Sequence, residues 1–104
     1  MFKEVTIEEL KVLLESGNCQ LIDVREEGEY KKVRIPGSKL APLSEFDKKC
    51  NIIDKTKSVY LHCGVGGRAR KAAEYLTTIG YEDVYVVNGG MKAWLEAGYK
   101  TQED

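Results

Sequence analysis

The chain has 104 residues, of which 42% are hydrophobic, and its 16 basic and 17 acidic side chains leave a formal net charge of −1 at neutral pH. This length predicts one domain, residues 1–104, with a core that folds without disulfides or a metal. The balanced charge excludes a general attraction to nucleic acid or to an anionic membrane, and no apolar run approaches the ~18–20 residues of a membrane span.

The first third of the chain predicts a helix, a strand and a second helix. Thr6 and Glu9 have capping-box spacing and precede apolar residues at helical intervals, which predicts a helix over 6–16 that ends at Gly17. The apolar run QLIDV at 20–24 predicts a buried strand, and the polar REEGEYKK after it predicts a short helix or a helical turn.

The middle of the chain contains both prolines and predicts mostly loop. A short edge strand is expected around Lys39. A helical segment is expected near residues 43–50.

The second half predicts two strands and a helix between them. SVYLH at 58–62 and DVYVV at 83–87 are short apolar runs of the kind found in buried strands. The helix between them ends at Gly80. Its predicted apolar stripe comprises Ala69, Ala72, Ala73, Leu76 and Ile79.

A last helix, MKAWLEAG, follows the glycines of VNGG. Trp94 and Leu95 are its predicted core residues, and Gly98 lies past its end. Strands that alternate with helices predict an α/β domain with a mainly parallel sheet covered on both faces.

The cysteines are odd in number and show no C-x-x-C spacing: Cys19, Cys50 and Cys63. This pattern argues against a disulfide framework and a zinc site, and we expect no metal and no cofactor.

The opening MFKEVTIEEL has charges where a signal peptide needs its apolar region. We therefore expect a cytoplasmic protein. Among oligomeric states a monomer is favoured.

A glycine-rich segment, CGVGGR at 63–68, connects a predicted strand to a predicted helix; it is called the CGVGGR loop below. Ligands of parallel α/β folds bind at such junctions, and glycines let successive amides turn towards an anion. A thiolate is such an anion, so Cys63 is a candidate nucleophile. A buried structural cysteine is the alternative. The loop lacks the Lys-Ser/Thr of a Walker phosphate loop and the last glycine of a dinucleotide fingerprint.

Four segments together resemble the rhodanese family of sulfurtransferases: LIDVREEGEY at 21–30, IPGS at 35–38, the CGVGGR loop and VNGGMKAWLEAGY at 87–99. They lie in the family's order and spacing over nearly the whole chain. The resemblance implies a rhodanese-like three-layer α/β/α domain with a mainly parallel central sheet.

The resemblance also implies an activity. The cysteine would take sulfur from a donor such as thiosulfate or a persulfide, hold it as a persulfide, and pass it to an acceptor such as cyanide, a thiol or a protein. Cys63 would be the catalytic residue, the loop amides would stabilise its charge, and Arg68 would close the loop. The candidate site residues are Cys63, Gly64, Val65, Gly66, Gly67 and Arg68.

Cysteine phosphatases and arsenate reductases are a less favoured alternative. The signature of the cysteine phosphatases begins with His-Cys, as in His62-Cys63, and has five residues before the arginine. Here Arg68 follows Cys63 after only four, which favours a ring of amides sized for sulfur over one sized for phosphate.

The loop departs from the family pattern at two positions. Family members commonly have an arginine or another polar residue directly after the cysteine and a serine or threonine next, whereas this chain has Gly64 and Val65. A lost charge-assisted hydrogen bond weakens anion capture by roughly tenfold or more. We therefore expect thiosulfate to be a poor donor, and a catalytically weak binding or regulatory module is the second hypothesis.

Other polar residues have predominantly structural interpretations. His62 should face away from Cys63 because successive strand side chains alternate. Asp23 and Arg25 are expected to form an ion-paired framework. Arg34 is expected to be a solvated surface side chain.

Overall fold

The centre of the fold is a parallel sheet of five strands in the order β1-β5-β4-β2-β3. The computed structural model describes residues 2–104. The strands are β1 Lys3–Val5, β2 Gln20–Asp23, β3 Lys39–Leu40, β4 Val59–His62 and β5 Val84–Val87. The predicted parallel sheet is confirmed, and β4 lies at its centre between β2 and β5.

Five α-helices accompany the sheet: α1 Ile7–Glu15, α2 Glu27–Lys32, α3 Phe46–Lys49, α4 Gly67–Thr78 and α5 Gly90–Glu96. Single 3-10 turns flank α3 at Leu43–Glu45 and Cys50–Ile52, where a helical segment was predicted. None of the helices between residues 2 and 104 has both the length and the apolar composition needed to cross a membrane.

The first helix forms as its capping pattern predicts. The Glu9 amide donates to Thr6 Oγ1 at 3.1 Å, and the Thr6 amide donates to Glu9 Oε1 at 2.8 Å. Both amides would otherwise lack a partner at the start of the helix. Gly17 ends the segment with φ +80°.

Two buried apolar clusters lie on opposite faces of the sheet, which confirms the three-layer architecture. Residues of α4 share one cluster with Leu61 and Cys63. Residues of α1 and α5 share the other with Tyr60. Alternating side chains of β4 therefore belong to opposite layers, and this alternation places Cys63 on the α4 face.

Two predicted core residues are exposed. Leu95 is 49% exposed because α5 packs on the core through Met91 and Trp94. Leu95 follows Trp94 in sequence and therefore points about 100° away from it around the helix, towards solvent. Ile79 is 40% exposed because it lies at the helix C-cap, beyond the last residue of α4. Both predictions were wrong because apolar spacing was extended to the end of each segment.

Strand β1 was not predicted. Of its three residues only Val5 is buried, while Lys3 and Glu4 face solvent. Its pairing with β5, Val5 opposite Val87, defines it as an edge strand. A segment of this length with two charged residues has no recognisable strand pattern.

Candidate active site

Cys63 directly follows the central strand, and its side chain is 1% exposed. Its Sγ accepts hydrogen bonds from the Gly66 amide at 3.0 Å and from the Ala69 amide at 3.4 Å. Gly66 has φ +125°, a conformation that side chains rarely adopt, and this conformation precedes the first turn of α4. Two backbone N–H groups at a helix start are therefore directed at one sulfur atom, which is the geometry of an anion-binding site.

The six predicted site residues lie in one loop but differ in position. Gly66 is buried beside Cys63, whereas Val65 at the loop tip is 68% exposed. Gly67 begins α4. Ala69 was predicted only as a core residue, and its amide is the second donor to the sulfur. The helical spacing showed which face Ala69 occupies but not where its amide points.

The back of the loop is held by the start of α5. The Met91 amide donates to the Cys63 carbonyl at 2.8 Å, and the Lys92 amide donates to the Gly64 carbonyl at 3.0 Å. Gly90 permits this approach, since a Cβ there would lie 2.2 Å from the Cys63 carbonyl oxygen. These contacts turn the two carbonyls towards α5. The sequence signal for this close approach was the pair of glycines after β5, which was interpreted only as the start of a helix.

Arg68 extends to α2 and pairs with Glu29. Its Nη1 lies 2.7 Å from Glu29 Oε1, and its Nη2 donates to Oε2 at 3.1 Å. The guanidinium also lies over Gly64, because a Cβ added to Gly64 would be 3.3 Å from Arg68 Nη2. The hydrogen bonds from Arg68 lower the pKa of Glu29 to about 2.

We expect the Glu29 carboxyl to titrate with a midpoint near 2. A carboxylate whose pKa is lowered by folding contributes stability above its unfolded pKa of about 4.3, and that contribution is lost as pH falls through the folded value. The contribution is small, below about 1 kcal/mol, because both side chains are partly solvated. Carbon-detected NMR of the Glu29 side chain gives the midpoint directly.

The matched variants for this titration are Arg68→Gln and Arg70→Gln. Arg68→Gln should return the Glu29 midpoint towards about 4.3. Arg70 pairs instead with Glu4 at 2.7 Å, so Arg70→Gln should leave it unchanged. An equal effect of both variants would contradict a direct contact as the cause.

A buried ion pair supports the end of β2, as predicted. Arg25 Nη2 lies 2.8 Å from Asp23 Oδ2, and Arg25 also donates to the Val33 carbonyl at 2.6 Å. His62 is fully buried, with Nε2 3.4 Å from Asp23 Oδ2, and burial lowers the pKa of its imidazole. The sulfur of Cys63 thus receives its hydrogen bonds from amides, and His62 belongs to the opposite layer with Asp23.

The other two cysteines, Cys19 and Cys50, lie outside the CGVGGR loop. Cys19 borders a cavity of about 380 Å³ beside Gln20, where β2 begins, and burial raises the pKa of its thiol to about 11. Cys63 follows the opposite, carboxyl end of a parallel strand, so Cys19 lies at the wrong end of the sheet to meet it. Cys50 is buried in the same apolar cluster as Cys63.

Arg34 is not the solvated side chain that was expected. Its side chain is only 12% exposed, and it pairs with Asp104 at 2.8 Å. Its guanidinium lies 4.6 Å from the centre of the Tyr30 ring. Arg34 therefore binds the C-terminal segment through Asp104. The sequence around Arg34, which precedes Ile-Pro-Gly, gives no sign of this contact.

The layered parallel fold and the amide-bound cysteine define an α/β protein with a cysteine-centred loop at the carboxyl edge of its sheet. The sequence model of one family, described as a rhodanese-like domain, matches residues 6–97. The chain belongs to the rhodanese-like domain family, and the predicted family resemblance is confirmed.

Individual relatives agree with this assignment. Thiosulfate sulfurtransferase GlpE of Pseudoalteromonas translucida is 33% identical over 100 residues, covering 94% of this chain and 92% of the relative. YqhL of Bacillus subtilis is 40% identical over 76 residues, covering 73% of this chain and 60% of the relative. The chain spans only 33% to 60% of the length of four curated relatives, YqhL among them.

The fold is also found in solved structures. The crystal structure of a rhodanese-related protein from Thermoplasma volcanium superimposes with a TM-score of 0.89 at 27% identity. The superposition covers 99% of this chain and all of the other.

Proposed function

We propose that the protein is a sulfurtransferase that carries sulfane sulfur as a persulfide on Cys63. The observation that carries this proposal is the pair of amides, from Gly66 and Ala69, directed at a buried Sγ at 3.0 and 3.4 Å. Backbone donors fixed in this way stabilise negative charge on sulfur without a general base. Membership of the rhodanese-like family, and the activity in the name of its GlpE relative, support the same chemistry.

The reaction has two displacement steps. The Cys63 thiolate attacks the outer sulfur of the donor, a new S–S bond forms, and the old bond to that sulfur breaks with its electron pair on the leaving group. With thiosulfate the leaving group is sulfite. In the second step an acceptor, either cyanide, a thiol or a protein thiol, attacks the outer sulfur and Cys63 leaves as a thiolate. The two amides serve the same sulfur atom in both steps.

Mass spectrometry of the intact protein tests this function. After incubation with thiosulfate or with cysteine persulfide, the mass should increase by one sulfur atom, and peptide mapping should locate it on Cys63. Cyanide should remove the added sulfur as thiocyanate. Absence of an adduct with both donors would overturn the sulfur-transfer proposal.

A binding or regulatory module is the second candidate, and one observation favours it. Gly64 and Val65 supply no side-chain donors, and Val65 presents an exposed apolar surface at the loop tip. That module would show no sulfur adduct on Cys63. Cys63-dependent hydrolysis of an aryl phosphate would instead support the phosphatase alternative.

A further inference from the structure

Arg68 is the only cationic side chain in the CGVGGR loop. Both of its terminal nitrogens are bound by the two oxygens of Glu29, at 2.7 and 3.1 Å. A paired arrangement of this kind fixes the plane of a guanidinium and compensates its charge. The loop therefore has a cation beside Cys63, but the pair of Arg68 and Glu29 has little net positive charge with which to attract an anionic donor.

The Arg68 guanidinium lies where a sulfur donor would approach, so neutralisation of its charge by Glu29 affects donor binding. The Arg68 guanidinium covers Gly64, the residue next to Cys63, and is kept there by a carboxylate that belongs to α2. An anionic donor that approached the cysteine would compete with Glu29 for the same donors. Gly64 and Val65 provide no others from their side chains.

We propose that Glu29 is a specificity-determining residue: by binding Arg68 it disfavours the thiosulfate dianion and selects donors that are uncharged at the transferring sulfur, namely protonated thiol persulfides. This inference rests on the proposed function because it concerns the donor to the same Cys63. It assigns to α2, outside the loop, a role in choosing that donor.

The chemistry of a persulfide suits such a loop. In a persulfide R–S–SH the Cys63 thiolate attacks the outer sulfur, the R–S bond to that sulfur breaks, and the thiolate R–S⁻ leaves with the electron pair. The proton stays on the transferred sulfur or passes to the leaving thiolate, and no external oxidant or reductant is needed. Thiosulfate would instead bring two negative charges towards a thiolate, which an uncompensated arginine would be needed to offset.

Alkylation of Cys63 tests the electrostatic step without sulfur transfer. The rate with anionic iodoacetate is divided by the rate with neutral iodoacetamide, each followed by peptide mass spectrometry at Cys63. Glu29→Gln should raise this ratio about five- to tenfold, the effect of one unit charge several ångströms away in a partly solvated site. The glutamine oxygen can still accept from the Glu26 amide, as Glu29 does at 3.0 Å, so α2 keeps its cap.

Two variants serve as controls for the alkylation ratio. Glu27→Gln removes the same charge from the same helix, but Glu27 faces Lys31 at 3.4 Å, so the ratio should stay at the wild-type value. The double variant Glu29→Gln with Arg68→Gln removes both charges and should also return to the wild-type ratio. An unchanged ratio in Glu29→Gln alone would overturn the inference.

Donor kinetics test the selection itself. In the wild-type protein, kcat/KM should be higher for a persulfide than for thiosulfate. Glu29→Gln should raise the thiosulfate value by about tenfold or more, because thiosulfate carries two negative charges, and should change the value for cysteine persulfide much less. Persulfidated serum albumin is measured as a second persulfide donor. A higher kcat/KM for cysteine persulfide would identify the donor as a small molecule, and a higher kcat/KM for albumin persulfide would identify it as a protein. Thiosulfate as the best donor, unaffected by Glu29→Gln, would overturn the selection and leave the Cys63 carrier intact. Absence of sulfur on Cys63 with all donors would overturn the carrier, whatever the alkylation ratio.

Discussion

Replacement of Cys63 by serine is expected to abolish sulfur loading and to lower transfer by roughly a thousandfold or more, as the loss of a nucleophile does in other covalent enzymes. A serine hydroxyl can accept the same hydrogen bonds from Gly66 and Ala69, so the fold should be retained. Its oxygen is nevertheless a poor nucleophile at neutral pH. Intact mass after donor treatment and thiocyanate release after cyanide addition measure the two steps.

The control for this prediction is Cys19→Ser. Cys19 lies at the opposite end of the sheet with a raised thiol pKa, so this variant should load one sulfur like the wild type. A sulfur adduct that persists in Cys63→Ser would show that a different cysteine carries it.

Gly90→Ala should have the second large effect, on both stability and sulfur loading. The added Cβ would lie 2.2 Å from the Cys63 carbonyl oxygen and 2.9 Å from that of Gly64, and φ at this position is +52°. Because both atoms are backbone, either the loop or α5 must move. Strain of about 1–2 kcal/mol and two weakened hydrogen bonds of about 0.5–1.5 kcal/mol each predict a loss of roughly 2–5 kcal/mol.

Displacement of the loop should also reduce sulfur loading by about a hundredfold, since reacting groups lose much of their rate when shifted by about 1 Å. Urea unfolding measures the stability, and the initial rate of persulfide formation measures the loop. Gly98→Ala is the matched control, because Gly98 also has positive φ, +75°, but a Cβ there meets nothing within 4 Å. That variant should lose about 1 kcal/mol and load sulfur normally. Normal loading by folded Gly90→Ala would contradict the role assigned to α5.

Much of the fold could be predicted because its signals are local. Thr6 and Glu9 contact each other within one turn of chain, and the strands β2, β4 and β5 are short apolar runs between polar residues. The edge strand β1 could not be predicted in this way, since it is defined by its partner β5 and not by a pattern of its own. Leu95 shows the converse error, because an apolar residue beside a core tryptophan need not share its face.

The position of the candidate site could be predicted from sequence, but the contacts that hold its loop in place could not. The glycines after Cys63 identified the junction of strand and helix, which the structure shows as the end of β4 and the start of α4. Arg68 and Glu29, however, are 39 positions apart, and their contact depends on how α2 packs beside the loop. The contact of Gly90 with the Cys63 carbonyl likewise joins segments that only the folded sheet brings together.

The central place of β4 has a consequence for how the candidate site can be lost. Because β4 is paired along both edges, by β2 and by β5, the backbone leading to Cys63 has no free edge from which to fray. Opening events that separate such a strand from its neighbours require free energies close to that of global unfolding. The position of the Cys63 backbone is thereby coupled to the stability of the whole sheet, and slow hydrogen exchange at the amides of β4 is expected to show that the strand keeps its place until the domain unfolds.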